Sequence, residues 1–172
     1  MLLAEKIVLS TLALALVMGA GGLYWLITKP VPPPDPLMFP EIATPLAEEW
    51  REYYPKTIPI NIAGIDMLAS VANTVPDRIK GLSGTPYLPD GLVKLFAFHV
   101  AGKHSIWMKD MNYPLDIMWL EEDGTIVHIA EKVSPDSYPT SFAPPVPAWY
   151  VIEANAGFVA SSSITVGDKV VL

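Results

Sequence analysis

Residues 105–120, which read SIWMKDMNYPLDIMWL, hold the side chains of this chain that are best suited to chemistry. Asp116 lies inside an apolar run, and a buried carboxylate needs a cation or several hydrogen-bond donors to stay ionised. Lys109 and Asn112 precede it in a short polar loop. We therefore predict that these three polar side chains meet in one site beside Trp107.

Two further charged residues are suited to the same site. Arg78 carries a planar guanidinium that binds carboxylates with two hydrogen bonds, so we expect it to pair with Asp116 or Glu153. Glu153 lies in the segment YVIEA and is a candidate second carboxylate for acid–base catalysis with Asp116. The structural alternative is that Asp116 forms an ion pair that fixes the fold, or accepts hydrogen bonds from loop amides.

The sequence predicts neither a metal nor a cofactor. Its three histidines, His99, His104 and His128, have no spacing of the H-x-x-x-H kind. There is no cysteine, which excludes thiolate metal sites and disulfides, and the serines at 161–163 lack the G-x-S-x-G context of a nucleophile. A net charge of −7 argues against nucleic-acid binding, which requires a basic surface.

Several function classes remain open from these residues. The first is a groove that binds a glycan, a peptide or a small molecule, with a predicted lining of Trp107, Lys109, Asn112 and Asp116. The second is a hydrolase that uses Asp116 and Glu153 as its carboxylate pair. The third is a partner-docking domain with an aromatic surface near Trp50. We favour binding, because no nucleophile, metal or cofactor motif is visible.

Short strands are the elements that must position these residues. The segments that favour strands are 57–62, 65–72, 92–100, 104–108, 115–121, 125–131, 150–153 and the C-terminal residues. Thr74 suits a helix cap and Gly81 a helix end, which predicts a short helix between them; residues 101–103 predict a turn. Residues 60–172 are thus expected to be mainly β, as a jelly-roll-like sandwich or barrel with one or two short helices.

The N-terminal part predicts a membrane anchor. Residues 7–27 carry no charge and would span ~31 Å as a helix, about the thickness of a bilayer's hydrocarbon core. Tyr24 and Trp25 suit the membrane interface at the outer end. We assign residues 1–29 to a single-pass transmembrane helix. The alternative is a cleaved signal peptide, whose apolar region is usually shorter.

Residues 30–59 predict a tether, because they hold 9 of the 18 prolines of the chain. Consecutive prolines favour an extended polyproline helix, which would hold the domain away from the bilayer. A short helix is expected after Thr44 and Pro45, and its aromatic face is Trp50, Tyr53 and Tyr54. We place the C-terminal domain outside the cytoplasm. The expected partners are the membrane, through residues 7–27, and an envelope glycan or protein.

Several motifs together carry a family resemblance. They are TVPDRIKGL at 74–82, IWMKDMNYPLD at 106–116, YVIE at 150–153 and GDKV at 167–170. On these motifs the chain resembles the uncharacterised family catalogued as domain of unknown function 192. The resemblance implies an all-β, jelly-roll-like sandwich behind a signal or anchor, and it implies no established activity. Many members carry a cysteine pair before the YVIE strand, whereas residues 134–139 contain no cysteine here.

Overall fold

The computed structural model describes residues 46–172, with side chains from residue 50 onward. The predicted anchor at 7–27 and the proline-rich first part of the tether lie outside these residues. Pro45–Leu172 forms one compact unit. Within residues 46–172, no helix is both long and apolar enough to cross a membrane.

Nine strands and three short α-helices make up the described part of the chain. The helices are α1 (Leu46–Tyr53), α2 (Val75–Lys80) and α3 (Phe158–Ser161), with a 3-10 turn at Pro135–Ser137. The strands are β1 (Thr57–Ile62), β2 (Ile65–Ala72), β3 (Leu92–Gly102), β4 (Ile106–Trp107), β5 (Leu115–Leu120), β6 (Ile126–Val133), β7 (Ser141–Phe142), β8 (Ala148–Asn155) and β9 (Val170–Val171).

Seven strands form one curled sheet in the order β6-β5-β8-β3-β2-β1-β9, and β4 pairs with β7 in a separate two-stranded sheet. Only β2 and β3 pair in parallel among the pairs of the described strands. The two edges of the large sheet meet at a bridge between Thr125 and Lys169. Gly124 permits this contact, because a Cβ there would lie 2.1 Å from the carbonyl oxygen of Val170. The sheet is therefore curled into a half-barrel.

The sheet buries both of its faces. On the inner face, strands β1, β2, β3, β5, β6, β8 and β9 all contribute to one apolar cluster, which includes Val93, Met118, Ile126, Ile152 and Val170. On the outer face, side chains of the sheet pack under loops, and the cluster includes Phe96, Ile117, Val151, Leu82 and Met108. Because side chains alternate along a strand, neighbours in sequence lie on opposite faces. This alternation decides where each candidate site residue points.

The prediction of a mainly β domain with short helices is confirmed. The helix predicted between Thr74 and Gly81 is present as α2. The turn predicted at 101–103 was wrong, because β3 continues to Gly102, which pairs with Ala148 of β8 beyond an irregularity in the register. The strand predicted at 104–108 is correspondingly reduced to the two residues of β4. Pairing with β8 overrides the local turn signal.

The short helix predicted in the tether is present as α1 and packs on the domain. Tyr54, just after α1, is 2% exposed and belongs to the outer cluster. Its hydroxyl donates a 2.6 Å hydrogen bond to the carbonyl oxygen of Tyr87. Trp50 is half-buried against the same cluster. Trp50 and Tyr54 of this aromatic face are therefore used within the domain, whereas Tyr53 is 41% exposed.

Candidate functional site

Helix α2 forms because its sequence carries a start and a stop signal. Thr74 is the N-cap, and its hydroxyl oxygen accepts a 3.3 Å hydrogen bond from the amide of Asp77. Gly81 ends the helix with a φ of +50°, a conformation that glycine adopts without strain. This single stretch of helix places Arg78 against the outer face of the sheet.

The Arg78 guanidinium is held in a fixed position. Its Nη1 donates to the carbonyl oxygens of Asn73 at 2.8 Å and Ala97 at 3.0 Å, and its Cζ lies 5.2 Å above the Phe98 ring. Within residues 46–172, no hydrogen-bond partner occupies its Nε or Nη2. An arginine has five N–H donors, so three of them are available to a ligand.

Three polar side chains form a row across the outer face of the sheet. Ser70 of β2 pairs in register with Lys94 of β3, and Lys94 pairs with Glu153 of β8. All three are buried: Ser70 is 2%, Lys94 8% and Glu153 4% exposed. The Nζ of Lys94 donates to the hydroxyl of Ser70 at 3.2 Å. A lysine and a carboxylate buried side by side are unusual enough to mark a candidate site.

Glu153 is the residue of this row whose hydrogen bonding is incomplete. Its Oε2 is buried and has no hydrogen-bond partner among the described residues. Burial raises the pKa of Glu153 from the ordinary 4.5 to about 8, and the positive charge of Lys94 opposes this shift only in part. Burial also lowers the pKa of Lys94, against the carboxylates of Glu153 and Asp77. Glu153 is therefore mainly protonated at neutral pH.

A groove on the outer face reaches the Glu153 end of this row, and we call it the Trp107 groove. Ser70 and Lys94 line a separate cavity. Its inner pocket, of about 50 Å³, reaches Glu153, and its outer depression, of about 340 Å³, opens towards Phe98. The two parts share the lining residues Arg78, Ile79, Phe96, Ser105, Ile106 and Trp107. The groove thus combines apolar walls with a few polar groups, as ligand sites usually do.

Trp107 forms an open wall of the groove. It is 50% exposed, and its ring meets the ring of Tyr138 edge to face at a centroid distance of 6.3 Å. Pairing of β4 with β7 holds it there, because Trp107 pairs with Ser141. An indole that is fixed and half-exposed offers a surface on which a flat or sugar ring can stack.

Asp116 lies on the other face of the sheet from Glu153. In the register of β5 with β8, Asp116 pairs with Ala154, whereas Ile117 pairs with Glu153. Ala154 belongs to the inner cluster and Ile117 to the outer one. The sheet therefore separates the two carboxylates, and they cannot form the pair facing one cleft that the hydrolase hypothesis requires.

The Asp116 carboxylate is occupied by backbone amides. Its Oδ1 accepts a hydrogen bond from the amide of Lys132 at 2.8 Å, and its Oδ2 accepts from Gly157 and Val159, both at 2.9 Å. These bonds tie β6 and the start of α3 to β5. The sequence left open the structural alternative that Asp116 accepts hydrogen bonds from loop amides. The structure shows a carboxylate that is held by amides in this way.

Lys109 and Asn112 do not line the Trp107 groove. The backbone carbonyl of Lys109 accepts a 2.8 Å hydrogen bond from the hydroxyl of Ser83. The side-chain amide of Asn112 donates to the carbonyl oxygen of Thr85 at 2.9 Å. Both residues brace neighbouring loops. Of the six residues predicted for the site, the structure brings together Arg78, Trp107 and Glu153, and it places Lys109, Asn112 and Asp116 elsewhere.

Sequence reasoning missed Lys94, although a signal for it existed. It lies inside the apolar run LVKLFAF, and the argument applied to Asp116, that a charge in an apolar strand needs a partner, applies to Lys94 equally. Ser70 and Phe96 carried no comparable signal, because both are ordinary residues for a strand. Among residues 46–172, no group of three or more His, Cys, Asp or Glu side chains is arranged to hold a metal ion.

Comparison with known proteins identifies the family. The family DUF192, described as Uncharacterized ACR, matches residues 58–172. The chain belongs to the DUF192 family. No curated protein matches the chain.

Two crystal structures are similar to this DUF192 domain. One is a protein of unknown function from Novosphingobium aromaticivorans DSM 12444, at 27% identity and a TM-score of 0.63, covering 67% of this chain and 85% of that one. The other is from Sinorhizobium meliloti 1021 and is named as a candidate transcription regulator, at 28% identity and a TM-score of 0.61, covering 66% and 90%. Both support the fold, and neither name specifies a ligand.

Proposed function

We propose that this DUF192 protein is a membrane-anchored, extracytoplasmic ligand-binding module whose binding site is the Trp107 groove. The observation that carries the proposal is the arrangement of that groove: a half-exposed Trp107 and the buried Glu153 line the same pocket, and the Oε2 of Glu153 has no hydrogen-bond partner among residues 46–172. A buried polar atom without a partner is destabilising in the empty protein, and a ligand that supplies the missing hydrogen bond would gain affinity from it. The ligand is a glycan, a peptide or a small molecule of the cell envelope.

The same geometry favours binding over hydrolysis. Asp116 accepts three amide hydrogen bonds on the inner face, so it does not serve Glu153 as a second carboxylate. Lys94 is hydrogen-bonded to Ser70 and does not line the groove. Nucleic acid is a poor candidate for the ligand, since the chain has a net charge of −7.

Binding is tested by titrating the full chain, in detergent micelles, with a panel of sugars, short peptides and small acids and amines. The indole N–H signals of the five tryptophans are followed by NMR, and Trp107→Phe identifies the signal of Trp107. We expect at least one ligand class to shift the Trp107 signal. Isothermal titration calorimetry, which does not need the Trp107 signal, should show that Trp107→Ala abolishes binding, whereas Tyr87→Ala, which removes an exposed aromatic outside the groove, does not. A panel that leaves the Trp107 signal unmoved would refute the proposal.

The membrane topology is tested separately with protease on intact spheroplasts. We expect the protease to cut the tether within residues 30–45 and release a folded fragment of the size of Pro45–Leu172. The proposal rests here on the uncharged segment 7–27 and the prolines that follow it. A domain that stays protected until the membrane is lysed would contradict the orientation.

A further inference from the structure

We infer that the ligand of the Trp107 groove is a carboxylate attached to a ring, with the carboxylate in the inner pocket between Arg78 and Glu153 and the ring against Trp107. This inference rests on the proposed function, since it assumes that the groove binds a ligand. It adds the chemical class of the ligand and the way in which the groove recognises it.

The sizes of the two parts of the groove suit a small group attached to a larger one. The inner pocket, at about 50 Å³, has room for a few water molecules or one small polar group, because about 10–15 Å³ of such space holds one water molecule. The outer depression, at about 340 Å³, falls within the usual range of small-molecule sites. A carboxylate fits the first and a six-membered ring the second.

The charges of the inner pocket favour an anion. Arg78, Lys80 and Glu153 are the charged residues of its lining. Glu153 is buried and, being protonated at neutral pH, contributes no negative charge, so the two cations are not neutralised within the pocket. The guanidinium of Arg78 keeps three N–H donors without a partner among the described residues. A ligand carboxylate would accept from these donors and from the protonated oxygen of Glu153.

The charged and titratable groups around Glu153 leave it protonated over the neutral pH range. From β3 it faces the Lys94 ammonium, whose charge favours the ionised form of Glu153. Asp77 and Lys80 act on Lys94 from α2 and have opposite effects on its pKa. Tyr113, on the loop before β5, stays neutral because burial raises its pKa well above the ordinary value of 10. Glu153 is thus the group of this cluster that loses its proton as the pH rises through about 8.

The outer depression suits a ring with an apolar face. Phe96, Phe98 and Trp107 line it, together with the aliphatic side chains of Val75 and Ile79. The exposed face of Trp107 is available for stacking. An acidic sugar and an aromatic acid share the chemistry required, which is a carboxylate bonded directly to a ring.

The experiment compares acids with their neutral counterparts on the full chain in detergent micelles. The probes are glucuronate against its methyl ester and benzoate against benzamide, and the Trp107 indole signal reports binding. We expect at least one acid to bind about tenfold or more tightly than its neutral counterpart, because a charge-assisted contact is stronger than a neutral one. A difference in the glucuronate pair indicates that the ligand is a sugar acid. A difference in the benzoate pair indicates an aromatic acid.

The pH dependence supplies a second, independent test. Between pH 6.5 and pH 9, the protonated fraction of Glu153 falls about tenfold, so the affinity for the acid should fall by about the same factor. Glu153→Gln keeps a hydrogen-bond donor that does not titrate, and it should bind the acid with an affinity that no longer changes over this range. Arg78→Gln should lose the preference for the acid, and Tyr87→Ala should leave it intact.

The outcomes separate this inference from the proposed function. If neutral counterparts bind as tightly as the acids, or if neither acid binds while another ligand of the wider panel does, the inference is wrong and the binding function stands. If no ligand of the panel shifts the Trp107 signal, both are wrong. If acid binding strengthens as the pH rises, the carboxylate is not held by a protonated Glu153. Because Arg78→Gln also removes two bonds that hold the fold, the pH profile of Glu153→Gln is the deciding measurement.

Discussion

Two carboxylates of neighbouring strands have different roles at the residue scale. Asp116 on β5 accepts three hydrogen bonds from amides on the inner face. Glu153 on β8 lies on the outer face, and one of its oxygens has no partner among residues 46–172. A carboxylate whose hydrogen bonds are made stabilises the fold, whereas a buried carboxyl oxygen without a partner costs free energy until a partner is supplied.

Asp116→Ala should destabilise the domain by about 3–5 kcal/mol, because it leaves three amide donors of the inner face without an acceptor. Asp116→Asn keeps one oxygen as an acceptor and should cause a smaller loss. Urea unfolding, followed by tryptophan fluorescence, measures both. An alanine variant within about 1 kcal/mol of the wild type would mean that water replaces the carboxylate at little cost.

The raised pKa of Glu153 predicts how the free energy of unfolding depends on pH. Its pKa is raised in the folded state, from 4.5 to about 8, so between these values the folded protein binds a proton that the unfolded chain does not. The contribution of Glu153 is therefore fully present below about pH 4.5 and is lost as the pH rises through about 8. One linked proton gives a slope of at most about 1.4 kcal/mol per pH unit.

The matched control is Glu153→Gln, which has a similar shape and does not titrate. The free energy of unfolding, measured in urea at several pH values from 5 to 8, should fall for the wild type relative to this variant. Burial lowers the pKa of Lys94. Because both proteins contain Lys94, the difference between their curves reports the side chain at position 153. Parallel curves for the two proteins would show that Glu153 has an ordinary pKa in the folded state.

At the scale of elements, α2 and the turn that follows it position Arg78 over the sheet. Gly81, at the end of α2, has φ +50° and ψ −122°, and a Cβ there would lie 3.2 Å from the Phe96 ring. The turn therefore needs a glycine both for its backbone conformation and for close approach to the outer cluster.

Gly81→Ala should destabilise the domain by about 1–3 kcal/mol, through backbone strain and contact with Phe96. It should also weaken ligand binding, since Gly81 and Phe96 line the inner pocket. Gly84→Ala is the matched control: its φ is +73°, but no atom of residues 46–172 lies within 4 Å of the added Cβ, so the change adds backbone strain alone. Urea unfolding compares them, and equal losses would mean that the Phe96 contact relaxes.

At the scale of the whole molecule, the domain needs the segment before β1. Tyr54 is 2% exposed in the outer cluster and bonds to the carbonyl oxygen of Tyr87. A fragment of residues 45–172 should fold without detergent, because it contains the whole compact unit. A fragment that starts at residue 57 loses Tyr54 and should be less stable by about 3–5 kcal/mol.

Near-ultraviolet circular dichroism and thermal unfolding compare the two fragments. The variant Tyr54→Ala in the longer fragment should reproduce most of the loss, which assigns it to this side chain. Equal melting temperatures for the two fragments would mean that α1 and Tyr54 add nothing to the core.

The sequence by itself determined the local elements of this protein. Thr74 and Gly81 begin and end α2 through hydrogen bonds and backbone preferences that act within one helical turn. The strands at 57–62 and 65–72 follow from local alternation and the turn between them. The family motifs likewise predicted a mainly β domain, as the structure shows.

Only the tertiary structure decided which side chains meet. Alternation along a strand assigns its residues to two faces, but the register between strands decides which face each residue shares with a neighbour. The sequence places Lys109, Asn112 and Asp116 close together in the chain, yet strand pairing puts Glu153 opposite Lys94 and turns Asp116 to the other face. Since register depends on contacts between residues far apart in sequence, no local pattern contains it.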